Sequence, residues 1–403
     1  MNTQTEVIVE ITPALETAQA PIPVPTVPPL SIAILQENLL AALTTLKPAV
    51  GDGKYIPILA NVLVEATEVG ITLTAIDLQT YIRVRVAGRV FQPGQVTIAF
   101  KNLCDFVKGC PPERIDIDDR PAHKSVFVSC GELSRSRIPT LPAIDFPAWP
   151  NEATPSCVVD AEQFAKAVVK IAPNALNDSK TARVILTTVN VRLNGNTLSL
   201  TASDGDRIAV RSLDVAGGVD DAIETNIDAK ELKAVASKLS GSALLAIDAK
   251  GLTISTAHSD VFVRSVDGKY PEFSQYLDGV TITSTVQVAA PVLLSAVRRA
   301  NVFARDNKET AMTVAVSSDC VFSVSAASQA LGDSFETLTA AVVVGQSVTA
   351  RIKARDAIKL LTGIGKQDVI VQFTANGKTV LFRAAEDVGT AYVLATIKDE
   401  ETR

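Results

Sequence analysis

The sequence predicts an α+β fold in which one domain is used three times, each copy carrying two helices and antiparallel sheets. The first observation is an internal repeat, because residues 198–211 have a second copy at 71–84 and a degenerate third copy at 322–329. The second observation is that amphipathic helix patterns alternate with runs of short strands whose apolar residues recur every second position. Both patterns begin near residue 31 and continue through the chain.

The three copies are separated by one domain length. Thr74 aligns with Thr201 and Asp77 with Asp204 at an offset of 127, and Ser325 aligns with Thr201 at an offset of 124. A period near 125 residues is too long for a solenoid repeat and typical of a whole domain. The three predicted domains, I to III in order, span residues 31–150, 157–280 and 285–403.

The first 30 residues precede the repeats and have a different composition. They contain six prolines between Pro13 and Pro29 and no Lys or Arg. The lack of basic residues argues against a secretory signal, and the prolines favour an extended, disordered tail. A passive tail is favoured over a docking segment.

Six helices are predicted, two in each domain. They begin near Ile34, Phe100, Asp160, Asp228, Ala290 and Lys353. Their spacing of about half a domain suggests that each domain is itself a doubled unit of one helix followed by several strands. Asp160 and Asp228 stand where an N-cap belongs, since their carboxylates can accept from the first free backbone N–H groups.

Short strands are predicted between the helices. Examples are Val189–Leu193, Leu198–Thr201 and Val369–Phe373, where apolar and polar residues alternate. Asn194-Gly195, between the first two of these, is a strong signal for a tight hairpin. We therefore expect two separate strands on either side of it.

Composition excludes several classes of function. The chain has 47% hydrophobic and 20% charged residues, and no apolar run approaches the roughly 18 residues that cross a bilayer. The five cysteines form no CxxC pair, which favours reduced thiols in a cytoplasmic protein. The two histidines are isolated from each other and from the cysteines, so we expect no metal site, no cofactor and no catalytic residue. Enzymatic activity is the least favoured of the functions considered, because the sequence contains neither a nucleophile-elbow motif nor a phosphate-binding loop.

Positive charge is concentrated on the predicted helices. The chain has a net charge of −6, but the six helix segments carry 14 Lys and Arg against 7 Asp and Glu, an excess of +7. Taken singly, each basic residue is more simply a solvated helix position, but their repetition suggests one basic surface that holds phosphates without reading base sequence. The candidates on helices are Lys47, Lys101, Lys108, Lys166, Lys170, Lys230, Lys233, Arg298, Arg299, Lys353 and Arg355.

Five motifs, in this order, resemble the bacterial DNA polymerase III β subunit, the replicative sliding clamp. They are YIPILANVL (55–63), LTAIDL (73–78), LPAIDFP (141–147), TASDGDRIAV (201–210) and VDGKYPEF (266–273). The resemblance runs from about residue 31 to residue 397. It implies a head-to-tail homodimer with six domains in a ring, helices lining the hole and sheets forming the rim.

The resemblance also implies a non-enzymatic function. Such a ring encircles double-stranded DNA and tethers the DNA polymerase III catalytic subunit, the clamp loader and other proteins that carry a clamp-binding motif. Lys54 matches a basic residue that touches duplex in the family. The runner-up reading is a clamp-fold scaffold paralogue with an altered or lost partner pocket.

The family's peptide pocket lies between the second and third domains. By resemblance it carries over to Leu186, Ser203, Gly205, Asp206, Arg207, Ile208, Pro271, Val393 and Leu394. Asp206 stands where the family usually has histidine, and Gln275 and Tyr276 replace a basic and an aliphatic residue. Together with an acidic ending after Ala395, Asp206 predicts a more negative rim than is usual in the family.

The resemblance places Val302 and Phe303 on the third-domain side of the dimer interface. On the first-domain side, Ser136 stands where the family often has an aromatic residue. We therefore expect a dimer, joined through an interface that is weaker than in other family members.

Overall fold

The computed structural model describes residues 29–132, 134–150, 153–178, 180–277, 279–305, 310–339, 342–387 and 389–397. Most of the predicted tail at 1–30 and the acidic ending at 398–403 lie outside these ranges. The described chain is a series of three units, I to III. Their order follows the three predicted domains, whose exact limits stay predictions.

Unit I comprises the strands β1 (Ser31–Leu35), β2 (Asn61–Thr67), β3 (Gly70–Ile76), β4 (Thr80–Val86), β5 (Gly88–Gln92), β6 (Gly94–Ala99), β7 (Arg114–Arg120), β8 (Ser125–Cys130) and β9 (Ser134–Pro139), and the helices α1 (Gln36–Leu46) and α2 (Phe100–Gly109). Unit II comprises the strands β10 (Cys157–Asp160), β11 (Thr188–Ser203), β12 (Arg207–Asp228), β13 (Ser242–Asp248), β14 (Gly251–Ser255) and β15 (Ser259–Arg264), and the helices α3 (Ala161–Ile171) and α4 (Ala229–Ala236).

Unit III comprises the strands β16 (Ile282–Ala289), β17 (Ala311–Val316), β18 (Phe322–Ser328), β19 (Gly332–Leu338), β20 (Val342–Gly345), β21 (Val348–Lys353), β22 (Asp368–Thr374), β23 (Thr379–Ala384) and β24 (Thr390–Ala395), and the helices α5 (Ala290–Ala304) and α6 (Ala354–Ile364). The predicted α+β class, with two helices in each repeat, is confirmed by these elements.

The helices begin within two residues of their predicted starts. The largest difference is at Ile34, which lies in β1 with its side chain buried, so α1 begins two residues later. Both predicted N-caps are confirmed. Asp160 accepts a hydrogen bond from the backbone N–H of Gln163, and Asp228 accepts from those of Lys230 and Glu231.

The predicted hairpin signal at Asn194-Gly195 does not separate two strands. It falls within the bounds of β11, whose two ends both pair antiparallel with β12. The register between β11 and β12 shifts on both sides of Gly195, where the backbone has a left-handed φ of +55°. Glycine accommodates this conformation without steric penalty, so the turn signal marks an irregularity inside one strand.

The strands form two kinds of set, which we call the five-strand and four-strand sets. Unit I contains the five-strand set β5-β1-β7-β8-β9 and the four-strand set β4-β3-β2-β6. Unit III repeats this with β20-β16-β22-β23-β24 and β19-β18-β17-β21. In unit II, β10-β13-β14-β15 and the β11–β12 ladder take the equivalent places.

Sets from consecutive units join edge to edge. Strand β4 of unit I pairs antiparallel with β15 of unit II, and β12 of unit II pairs antiparallel with β24 of unit III. Strands β9 and β19 occupy the equivalent end positions of their own sets, but among the described residues they are sheet edges. The described chain therefore has two junctions at which sets are joined. It leaves the five-strand set of unit I unjoined at β9 and the four-strand set of unit III unjoined at β19.

One core cluster collects the buried sides of all six helices and the facing sides of the strands. The opposite, outer side of the sheets carries a small apolar cluster at each joined junction. At each junction the covering residues come from the segment that leads into the next unit. Helices therefore cover one side of the sheets, and these linking segments cover part of the other.

Candidate DNA-facing surface and peptide pocket

The predicted pocket includes the tight turn between β11 and β12. Ser203 Oγ donates to the carbonyl of Arg207 at 2.7 Å and accepts from the backbone N–H of Gly205 at 3.1 Å. Asp204 Oδ1 accepts from the N–H groups of Asp206 and Arg207 at 3.2 and 3.1 Å. Gly205 has a φ of +99°, which side-chain-bearing residues rarely adopt. The turn is thus fixed by its own side chains.

Arg207 braces this turn against unit III. Its side chain is buried, with Nε 3.0 Å from Asp204 Oδ2 and Nη1 3.5 Å from Asp356 Oδ1 of α6. The Nε–H makes no hydrogen bond in this position, so its contact with Asp204 is an ion pair only. Nη2 donates to the carbonyl of Pro173 at 3.2 Å. Burial raises the pKa of Asp356, while Arg207 acts to lower it. Arg207 is therefore committed to internal contacts.

Ile208 and Val393 lie together on the outer side of the sheet, where they pair across the β12–β24 ladder and form a cluster with Leu381. Ile208 is 8% exposed and Val393 is 1% exposed. The segment that follows Pro271 covers them with Phe273, Tyr276 and Leu277. The apolar floor of the predicted pocket therefore exists, but the chain itself occupies it.

Leu394 and Leu186 do not join this floor. Leu394 is adjacent to Val393 in a strand, so it points to the helix side and belongs to the main core, with 2% exposure. Leu186 is also buried, and it lies beside the turn, near Gly205. The nine predicted residues therefore divide between the two sides of the junction.

Asp206 lies at the exposed rim, and its charge has a partner. Lys353 Nζ donates to Asp206 Oδ2 at 2.5 Å, and this hydrogen bond is the main cause of the raised pKa of Lys353. A small cavity next to the pair is lined by Asp206, Lys353, Asp356 and residues 394–397. The pairing reduces the negative charge predicted for this rim.

Eight of the predicted DNA-facing residues are exposed and free of ion pairs with other described residues. They are Lys47, Lys101, Lys108, Lys166, Lys230, Lys233, Arg298 and Arg355. All lie on or directly beside a helix. They belong to the helix side of the sheets, so the positive charge is on the predicted side.

Four predicted DNA-facing residues have carboxylate partners instead. Lys170 binds Asp387 of unit III at 2.6 Å, and Arg211 pairs with the same carboxylate. Arg299 forms two hydrogen bonds of 2.8 Å with Glu336. The other two are Lys353, described above, and Lys54, which lies 3.4 Å from Asp52. Sequence reasoning missed these contacts because most of the partners are far apart in the chain.

The predicted interface residues differ in exposure. Val302 is 48% exposed, whereas Phe303 is partly buried against the main core. Sequence reasoning missed Phe335, which is 69% exposed on the edge strand β19. A large aromatic residue on an unpaired edge is unusual in a monomer. Its signal was its position in a strand with polar neighbours on both sides.

No metal-binding group of three or more His, Cys, Asp or Glu side chains occurs among the described residues. In the same part of the chain, no helix is long and apolar enough to span a membrane. The five cysteines are unpaired, and burial raises the pKa of the Cys157 thiol to about 11.

Comparison with known families identifies the family of this chain. Residues 30–150 match the N-terminal domain of the DNA polymerase III beta subunit, and residues 158–272 match its central domain. Together these matches cover more than half of the chain. The chain belongs to the DNA polymerase III β subunit family. The helix-covered sheets and their junctions are thus those of a β subunit.

Relatives of this β subunit extend over most of its length. A beta sliding clamp from Micrococcus luteus is 29% identical over 261 residues, which cover 62% of this chain and 81% of that protein. The beta sliding clamp homolog GriR from Streptomyces muensis is 25% identical over 354 residues, 85% of this chain and 92% of that protein. The crystal structure of the Bacillus subtilis DNA polymerase sliding clamp matches with a TM-score of 0.82 at 19% identity, covering 92% of this chain and 99% of that one, which establishes the shared fold.

Proposed function

We propose that two copies of this β subunit close head to tail into a ring that encircles duplex DNA. The ring holds the DNA polymerase III catalytic subunit, the clamp loader and other clamp-binding proteins on DNA. Its contribution is processivity, without a chemical step of its own.

The main support for a ring is that the described chain has two unjoined strand sets, one of each kind, which end in the edge strands β9 and β19. At the junction between units I and II, the four-strand set of unit I meets β10-β13-β14-β15, which takes the place of a five-strand set. At the junction between units II and III, the β11–β12 ladder, which takes the place of a four-strand set, meets the five-strand set of unit III. The chain leaves β9 of one five-strand set and β19 of one four-strand set as edges. In a second copy these edges are complementary, so two reciprocal β19–β9 pairings close the assembly and leave neither edge open.

The helix side would face the DNA. Eight exposed basic residues that have no acidic partner within the described ranges lie there, although the chain as a whole has a net charge of −6. They are scattered over six helices rather than clustered at a groove-reading helix, so they suit phosphates of any sequence. Direct affinity should be weak and salt-dependent, and retention should depend on topology.

Partner proteins would bind on the outer side of the junction between units II and III. Ile208, Val393 and Leu381 form an apolar floor that accepts Leu or Phe anchors of an extended peptide. Since Phe273, Tyr276 and Leu277 occupy this floor, a partner must displace them. Burying each anchor contributes about 1.5 to 3 kcal/mol, so a few contacts would determine affinity.

The deciding experiment compares retention on circular and linear DNA. The protein is loaded by a clamp loader onto nicked circular duplex and passed through a sizing column at a salt concentration that abolishes equilibrium binding. We expect it to stay with the circle and to be lost after the DNA is linearised. Equal retention on the two forms would show that contact, not encirclement, holds the protein.

A further inference from the structure

A second outer-side groove lies at the junction between units I and II. Its cavity of about 560 Å³ is formed by β4, β13, β14 and β15 and walled by Trp149, Pro150 and Pro155. It is on the side of the sheets opposite the helices, next to the outer apolar cluster that contains Tyr81 and Phe262. The partner pocket at the other junction does not include any of its lining residues.

The groove contains an unbalanced charge cluster. Asp260 has only 7% of its side chain exposed, and its Oδ2 accepts from Arg83 at 2.9 Å and from Arg85 at 2.6 Å. These three are the charged residues among the described lining. Two guanidinium groups thus share one carboxylate, which leaves one positive charge in excess among the described lining residues. Arg85 is the more accessible of the two arginines, with 48% of its side chain exposed.

The rest of the described lining combines apolar and aromatic residues with four that carry hydroxyl groups, Ser242, Thr253, Ser255 and Thr256. The Arg83 guanidinium lies 4.7 Å from the centre of the Trp149 ring, and Tyr81 packs edge-on against the same ring at 6.1 Å. Leu244, on β13, is 44% exposed at the cavity. An exposed leucine beside an aromatic wall and an accessible arginine forms a surface that is apolar at one end and cationic at the other.

We propose that this groove is a second protein-binding site, which takes a short acidic peptide of a partner protein. A carboxylate of the peptide pairs with Arg85, and a neighbouring apolar side chain packs against Leu244 and Pro150. The complementarity is between one excess positive charge and one carboxylate. This inference goes beyond the proposed function and does not require ring closure.

A peptide fits the groove better than single-stranded nucleic acid does. Base stacking needs an open aromatic face, but Arg83 already lies over the Trp149 ring. A phosphate chain also needs repeated positive charges along its path, whereas the groove supplies one in excess. The proline and leucine walls suit an extended, partly apolar chain.

Trp149 is the only tryptophan of the chain, so its fluorescence reports on this groove alone. The probes are capped hexapeptides without Trp or Tyr: one with Glu between two Leu residues, one with Gln in its place, and one with Lys. In the full-length protein we expect a saturable change in fluorescence with the Glu peptide, about tenfold weaker binding of the Gln peptide, and the weakest binding of the Lys peptide.

The test variant is Arg85→Gln, which removes the exposed cation but leaves Arg83 on buried Asp260. It should weaken binding of the Glu peptide about tenfold and abolish the preference for Glu over Gln. The matched control is Arg89→Gln. Arg89 is an exposed arginine that lies over Phe91 on β5, outside the groove, so this variant should bind the three peptides as the parent does. Leu244→Ser should weaken all three peptides.

Several results would overturn the proposal. These are no response to the Glu peptide at millimolar concentration, equal binding by Arg85→Gln and the parent, or a stronger response to oligothymidine than to the peptide. A peptide of residues 1–28, which carries three Glu and no Lys or Arg, is a further competitor. If it binds more tightly than the Glu hexapeptide, the occupant is the chain's own tail and the partner assignment is wrong.

Discussion

At the scale of single residues, the internal repeat has a physical explanation. Asp77 and Asp204, which align at an offset of 127, both accept backbone hydrogen bonds within the turn that follows them. In unit III the aligned position is Ser328, whose hydroxyl accepts from two backbone N–H groups in the same way. The repeat is visible in the sequence because the same turn needs a side-chain acceptor at the same place.

Tyr392 should set an alkaline limit to stability. Its side chain is 3% exposed, and burial raises the pKa of its hydroxyl to about 12, against an ordinary value near 10. The folded chain thus holds this proton more tightly than the unfolded chain. The resulting stability is fully present below pH 10 and is lost by about 1.4 kcal/mol per pH unit between pH 10 and pH 12.

Tyr392→Phe should remove the part of this slope that Tyr392 contributes, as measured by urea unfolding at about pH 8, 9.5 and 11. The parts due to Cys157 and Tyr270, whose pKa values burial also raises, should remain. Tyr55→Phe is the control, since Tyr55 is 94% exposed and should leave the slope unchanged. If Tyr392→Phe loses as much stability as the parent over this range, Tyr392 is not the titrating group.

Arg298 and Arg299 are adjacent but should contribute unequally to DNA binding. Arg298 has no carboxylate partner among the described residues, whereas Arg299 is held by Glu336. Arg298→Gln should weaken duplex binding and reduce the slope of log K against log salt by about 0.9, the effect of one phosphate contact. Arg299→Gln should change both quantities less. Anisotropy titrations of a labelled duplex over a salt series check this, and equal effects would contradict the assignment of the two side chains.

At the scale of elements, helices were easier to predict than the pocket. The apolar stripe and N-cap residues of α3 and α4 are local in sequence, so their starts could be read from it. The pocket depends on which side of a strand a residue faces and on what covers that side. Leu394 was expected in the pocket, but it is one position from Val393 and therefore faces the core. Resemblance alone did not show that Tyr276 covers the floor.

The covering segment should compete with partner peptides. Tyr276→Ala should strengthen binding of a peptide with Leu and Phe anchors, because it removes a side chain that occupies the floor. Gln275→Ala, in the same segment but exposed, should have no effect. Leu394→Ala should lower the free energy of unfolding by about 2 to 5 kcal/mol, since it leaves a cavity in the core. Calorimetric peptide titrations and urea unfolding measure these effects, and weaker peptide binding by Tyr276→Ala would refute the competition.

The edge strand β19 should determine the oligomeric state. Phe335→Asp places a charge on the edge strand that the proposed pairing with β9 would use, so it should shift the protein from dimer to monomer at micromolar concentration. Val69→Asp is the control, because Val69 is 98% exposed in the turn after β2. Phe335 is a better test than Phe303, whose contacts with the core would confuse interface loss with unfolding. Light scattering measures the outcome, and an unchanged dimer in Phe335→Asp would exclude the β19 interface.

At the scale of the whole molecule, the sequence predicted the threefold architecture but not the contacts between units. The pairs Lys170–Asp387 and Arg83–Asp260 join residues 217 and 177 positions apart. Residues that look like solvated helix positions in the sequence, such as Lys170, are in these pairs because the neighbouring unit supplies a carboxylate. Such partners follow from the docking of units, which local patterns do not encode.

The linking segments at the two joined junctions also bear on how a ring could be opened. At these junctions a strand ladder is reinforced by a covalent connection and by aromatic side chains laid across it, Phe146 and Trp149 at one and Phe273 and Tyr276 at the other. No peptide bond would cross the proposed junction between β19 of one copy and β9 of the other. If the ring is bent, it should open at the junction between the two chains, because only hydrogen bonds and side-chain contacts hold that junction together. The seam through which DNA enters would therefore coincide with the boundary between the two chains, and the four reinforced joints would act as its hinges.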